Sequence, residues 1–179
     1  MSTVETNLVQ PSTGTTLTLG AASDTIDIPS GATLDVTGAT LSGLYETGTW
    51  TPVFAGSGTA GSFTYTAQVG HYTKIANVVI AQFRVTISAI SVAAAGYLYI
   101  QGLPENAYEY PGITIGYATG FTAGDTPTGG YMSSGSSNME LMRYDAADAR
   151  NGMSTHSGGT ALTATSSILG NIVYRTSAT

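Results

Sequence analysis

The stretch Leu17–Leu44, LTLGAASDTIDIPSGATLDVTGATLSGL, constrains this chain more than any other. Leu17 and Leu19 form one apolar pair, Ile26 and Ile28 the next, and Leu34 and Val36 the third, with Leu41 and Leu44 closing the series. Each pair has the i, i+2 spacing of a half-buried strand, and turns rich in Gly, Ser and Asp separate them. GATL occurs twice, at Gly31–Leu34 and Gly38–Leu41. Strands this short and this few cannot enclose a core by themselves. The apolar side therefore needs a cover from outside the stretch. Either further copies of the same chain supply it, or the stretch lies as an edge hairpin on the domain that follows. In the first case residues 15–44 are a repetitive oligomerisation shaft whose core is made by these eight residues.

Composition narrows the rest. Charged residues are 9% of the 179, against about 25% in ordinary domains, and 23 residues are glycine. Thr and Tyr favour strands and Gly favours tight turns, so an all-β chain is expected. At 42% hydrophobic residues and a net charge of −6, it should not be disordered. Five Lys plus Arg make no basic face for nucleic acid or for an anionic membrane. With no cysteine, disulfides and thiolate metal sites are absent. The opening MSTVETNLVQPS has neither the basic nor the apolar region of a signal peptide. No apolar run reaches the about 18 residues of a transmembrane helix.

Residues 1–14 read as a polar docking tail, Tyr45–Gly48 as a hinge, and 45–179 as a globular β domain. Strand candidates there are Thr51–Phe54, Phe63–Thr66, His71–Ile75, Val78–Ile87, Tyr97–Ile100, Ile113–Tyr117, Met139–Tyr144, Ala161–Ile168 and Ile172–Arg175. Val78–Ile87, the longest and most apolar, is expected to be central. Many short strands with Gly-rich turns point to a jelly-roll-like β-sandwich. The best helical candidate, Asp145–Arg150, is one or two turns long at most.

No constellation of residues reads as catalytic. Gly56, Gly58 and Gly61 match G-x-G-x-x-G, but SFTYT follows where a dinucleotide site needs a helix. Asp145 and Asp148, flanked by Glu140, Arg143 and Arg150, form one compact charged cluster. Paired carboxylates can hydrolyse glycosides when held about 5–9.5 Å apart. The spacing fails the calcium-loop pattern, and a solvated turn with local ion pairs is the favoured account of the cluster. His71 and His156 lack zinc-ligand spacing, so neither a metal nor a cofactor is expected. The 11 tyrosines offer more. Tyr108, Tyr110, Tyr117, Phe121 and Tyr131 are expected in loops or at strand ends, where aromatic rings serve as recognition platforms. The bland alternative is that Tyr favours strands and subunit interfaces.

The globular part resembles the tip domain of tailed-bacteriophage fibre and appendage proteins. The matching phrases are Gly48-Thr49-Trp50-Thr51-Pro52, the run from Gln68 to Val79 (QVGHYTKIANVV), Gly102-Leu103-Pro104, and Tyr174-Arg175-Thr176. Asp24–Leu34, DTIDIPSGATL, is similar to the repeats that precede such tips. The resemblance covers residues 15–104 well; the loops after Pro104 match no phrase. It implies a homotrimer with a threefold β shaft and three sandwich domains at its distal end. The chain would then be a structural, non-enzymatic virion protein on the outer surface of the particle. Its N-terminus would dock to capsid or tail proteins, and it would be a fibre or a decoration. A receptor-binding tip for a host surface glycan is the alternative, and a polysaccharide depolymerase using Asp145, Asp148 or Glu140 a remote third.

Overall fold

The computed structural model describes residues 11, 13–35, 43–143, 151–152, 154–155 and 161–177. The chain divides into two compact units, Met1–Ala39 and Thr40–Thr179. No helix occurs among the described residues. The helical candidate Asp145–Arg150 lies outside them.

In the first unit, residues 13–35 are extended and carry no strand ladder. Two tight turns punctuate them. The Asp24 carboxylate accepts the Ala21 amide at 2.7 Å while the Asp24 amide donates to the Ala21 carbonyl at 3.1 Å. The Ala32 amide donates to the Pro29 carbonyl at 3.0 Å. Among the described residues the expected short strands make no strand pairing, each segment being too short to fold back on its neighbour.

Among the described residues the second unit has eleven strands: β1 (Tyr45–Trp50), β2 (Val53–Gly56), β3 (Ser62–Ile75), β4 (Val78–Val92), β5 (Gly96–Gln101), β6 (Gly112–Phe121), β7 (Gly129–Met132), β8 (Met139–Arg143), β9 (Asn151–Gly152), β10 (Ser154–Thr155) and β11 (Leu162–Arg175). All pairings are antiparallel, in the order β1-β3-β4-β11-β6-β7-β8-β5-β10, with β2 also on β5 and β9 on β8. The fold is all-β, and the expected sandwich is realised as one continuous sheet folded over on itself. The long strands β3, β4, β11 and β6, with β1 at their edge, make one half; the short strands β7, β8, β5 and β2 make the other.

Period-two patterning explains how the halves close. In β4, Val79, Ala81, Phe83, Val85 and Ile87 point inward and are buried, while Ile80, Gln82 and Arg84 point outward. Ile168, Ile172 and Tyr174 of β11 join them from the same half. Leu98 and Ile100 of β5, Met132 of β7, and Met139 and Leu141 of β8 close the core from the other. Phe54 of β2 crosses between the halves, edge-on to Phe63 at 6.5 Å and to Phe121 at 6.3 Å. The Tyr65 hydroxyl accepts the Phe54 amide at 3.0 Å.

Two phrases singled out in the sequence interlock physically. Register places Gly48 opposite Tyr72 and Trp50 opposite Gly70 across β1 and β3. Each aromatic ring lies over the facing glycine. A Cβ on Gly48 would sit 2.5 Å from the Tyr72 ring, and one on Gly70 would sit 2.7 Å from the Trp50 indole. Trp50 then meets Phe83 edge-on at 6.2 Å, fixing β1 to the core. The residues expected as a hinge, Tyr45–Gly48, are therefore the start of a strand. The β3–β4 hairpin closes through Ala76 and Asn77, with Ala76 at φ +51° and its amide donating to the Leu44 carbonyl at 2.8 Å.

Candidate functional site

The described residues of the proposed shaft core are exposed in the single chain. Leu17, Leu19, Ile26, Ile28 and Leu34 lie in the first unit, where every residue from 13 to 35 is exposed, and Leu34 reaches 63%. Leu44 lies in the second unit and is 54% exposed. Val36 and Leu41 fall outside the described residues. Five large apolar side chains with nothing from their own unit over them form a ladder that water solvates at a cost.

The outer face of the long half of the folded sheet is also apolar. Across β1, β3, β4 and β11 the outward rows read Tyr45–Ile75–Val78–Arg175, then Thr47–Thr73–Ile80–Val173, then Thr49–His71–Gln82–Asn171. The fourth row runs Val69–Arg84–Leu169 and ends on Tyr117 of β6. Tyr45, Val69, Ile75, Ile80, Tyr117, Leu169 and Val173 are exposed large apolar residues. Tyr117, expected in a loop or at a strand end, thus stands inside β6 on this face.

The expected recognition tyrosines divide three ways. Tyr108 and Tyr110 are on the connection between β5 and β6, 62% and 71% exposed. That connection is held firmly. The Tyr108 amide donates to the Arg175 carbonyl at 2.7 Å, Ser134 Oγ donates to the Tyr108 carbonyl at 2.7 Å, and the amides of Ala107 and Gly135 bond to Ser136 and Ala107 at 2.8 and 2.7 Å. Glu109, Tyr110 and Pro111 wall a shallow groove of about 340 Å³ against Val78, Val173, Tyr174 and Arg175. Beneath it the buried Tyr174 hydroxyl donates to the Glu105 carbonyl at 3.1 Å, and Lys74 pairs with the Glu105 carboxylate. Burial pushes the Tyr174 hydroxyl up to about 12. Phe121, by contrast, packs on the core against Phe54.

Tyr131 lies in β7, in register with Glu140 of β8, which is in register with Tyr99 of β5. The Tyr131 hydroxyl donates to the Glu140 carboxylate at 3.2 Å. Partial burial, and then the Glu140 charge, raise the hydroxyl pKa of both Tyr99 and Tyr131. With exposed Tyr97, these residues make an aromatic patch around one carboxylate on the outer face of the short half. Tyr97 and Tyr99 were not singled out from sequence. The alternation in Tyr97-Leu98-Tyr99-Ile100 was the signal, since it puts both rings on one face while Leu98 and Ile100 enter the core.

Asp145 and Asp148 lie outside the described residues. Glu140 faces the tyrosine patch, and Arg143 pairs with Asp125. Among the described residues no group of three or more His, Asp or Glu side chains is placed to hold a metal. No helix among them is long and apolar enough to cross a membrane. The G-x-G-x-x-G phrase ends β2 and turns into β3, with the Gly58 and Thr59 amides bonded to the Ala95 carbonyl at 2.8 and 3.1 Å. His71 is exposed on β3.

No protein-family model matches the chain. No curated protein matches it either. Among solved structures it is similar to the Dettilon tailspike protein, gp208, at 20% identity and a TM-score of 0.57, over 83% of this chain. The likeness is one of fold, and the match spans 30% of that tailspike chain.

Proposed function

We propose that the chain is a structural virion protein of a tailed phage, a homotrimeric fibre or decoration subunit. The observation that carries this reading is the ladder of Leu17, Leu19, Ile26, Ile28 and Leu34, exposed in a segment whose backbone has no ladder of its own. Three copies side by side bury those side chains against one another and supply the missing strand pairing, leaving no free edge. The fold shared with part of a tailspike protein supports the appendage class. In this reading residues 1–14 dock to capsid or tail proteins, and the folded sheet faces outward from the particle. The role is mechanical, without a catalytic step. Native mass spectrometry of the full chain is expected to give about three times its 18.2 kDa mass; a monomer at micromolar concentration removes the proposal.

A second reading, recognition of a host surface glycan, is favoured by one observation. Tyr108 and Tyr110 are highly exposed, yet their loop is tied down on both sides, so binding there costs little ordering entropy. Tyr108→Ala and Tyr110→Ala trimers are then expected to adsorb to host cells less than wild type. Equal adsorption leaves the structural role alone.

A further inference from the structure

The folded sheet has two outer faces of opposite character. The long-strand face carries Ile80, Val173, Leu169, Val69 and Tyr117 around Arg84. The short-strand face carries Tyr97, Tyr99 and Tyr131 around Glu140. We propose that the long-strand face of one copy docks on the short-strand face of the next, with Arg84 set against Glu140. The inference rests on the trimeric reading above and extends it from the shaft to the folded domain.

Three observations carry it. The first is area. Five strands about 4.8 Å apart, counted over the eight or so residues from Val78 to Thr86 at about 3.4 Å each, give a flat footprint of about 600 Å², close to the about 800 Å² each partner buries in a stable interface. The second is composition. Between the edge Arg175 and Thr86, the outward residues of β4 and β11 are Val78, Ile80, Gln82, Arg84, Ser167, Leu169, Asn171 and Val173, with Arg84 the one formal charge. A solvated sheet face normally alternates buried apolar with charged residues; apolar and neutral polar side chains around one charge are what the centre of an interface carries. The third is charge and symmetry. Arg84 is exposed and belongs to neither ion pair found among the described residues. Glu140 lies between Tyr99 and Tyr131 on the opposite face and accepts the Tyr131 hydroxyl. A cyclic trimer joins unlike surfaces head to tail, so a cationic face on one copy and an anionic face on the next suit such a contact. Tyrosine rings flanking Glu140 also offer their π faces to an arriving guanidinium.

The test is a charge exchange in the full chain. Arg84→Glu and Glu140→Arg are each expected to raise the protomer concentration at half-dissociation by about tenfold or more, and the double variant to restore most of that loss. Leu169→Lys, which removes apolar contact without touching the pair, is expected to weaken the trimer as well. Circular dichroism and Trp50 fluorescence of the dissociated chains report whether each variant is folded. Wild-type trimers with all three single variants unchanged overturn the inference and leave the trimeric reading standing. So does a double variant no stronger than the weaker single. A monomeric wild type overturns both.

Discussion

At the scale of single residues, the reciprocal seating of Trp50 on Gly70 and Tyr72 on Gly48 decides how β1 joins the sheet. A methyl at Gly70 would lie 2.6 Å from the Trp50 carbonyl oxygen and 2.7 Å from the indole. The oxygen is backbone and cannot swing aside, so strand and ring must both shift. Gly70→Ala is therefore expected to lose about 1–3 kcal/mol, the usual cost of overpacking a filled site. Gly112→Ala serves as the control, because its Cβ would meet nothing nearer than the Gly130 carbonyl at 3.9 Å, and it should stay within about 0.5 kcal/mol of wild type. Trp50 is the single tryptophan, so its fluorescence reads the midpoint of chemical unfolding in both variants. Equal midpoints for the two would mean the ring does not rest on the glycine.

At the scale of elements, β11 lies between β4 and β6 and also anchors the Tyr108 loop through Tyr174 and Arg175. The buried Tyr174 hydroxyl, with its pKa at about 12 against an ordinary value of about 10, is neutral in the folded chain where an unfolded tyrosine has already ionised. Its contribution is present in full below pH 10 and is lost as pH rises from about 10 to about 12, amounting to about 2–3 kcal/mol. Tyr174→Phe removes the hydrogen bond to Glu105, about 1 kcal/mol, and this titration with it. The two unfolding curves should approach and then cross between pH 10 and 12, wild type becoming the less stable, and parallel curves would remove Tyr174 as the alkaline trigger. Tyr65, whose pKa is also raised by burial, acts equally in both chains and cancels in the difference. The same strand shows how far sequence carries. The long apolar run from Val78 to Ile87 was read as one strand, and β4 covers it; its buried face follows from the unbroken period-two pattern. β11 and β3 were each read as two pieces, since Gly70 and Gly170 look like turn residues. Both instead sit under a neighbouring ring, at Trp50 and Phe83 respectively, where no side chain fits. β7 went unread because Gly129 and Gly130 open it, and Gly130 is there to let the Glu140 carbonyl approach. Tyr131 was left in a loop or at a strand end for that reason, while Tyr117 closed the strand candidate Ile113–Tyr117, which β6 carries on to Phe121.

At the scale of the whole molecule, two apolar features ask for the same partner by different routes. The 13–35 segment has exposed side chains and no strand ladder, while the folded sheet has a buried apolar core of its own and an apolar outer face. In the trimeric reading the segment depends on assembly, while the sheet folds first and assembles afterwards. Ile26→Asp with Ile28→Asp separates these. Buried apolar side chains of this size contribute about 1.5–3 kcal/mol each, and the pair recurs in every copy, so six are lost per trimer along with the cost of desolvating six carboxylates. Protomers of the double variant should associate about a thousandfold more weakly or worse, while Trp50 fluorescence and the unfolding midpoint of the dissociated chain remain those of wild type. Thr25→Asp, one position out of phase with the ladder, should leave association nearly unchanged, since period two turns that side chain away from the seam. If Thr25→Asp weakens the trimer as much as the paired isoleucine change, the ladder is not the seam. If the wild-type chain is monomeric and the isoleucine change alters only its unfolding midpoint, the stretch is an edge hairpin covered by its own domain.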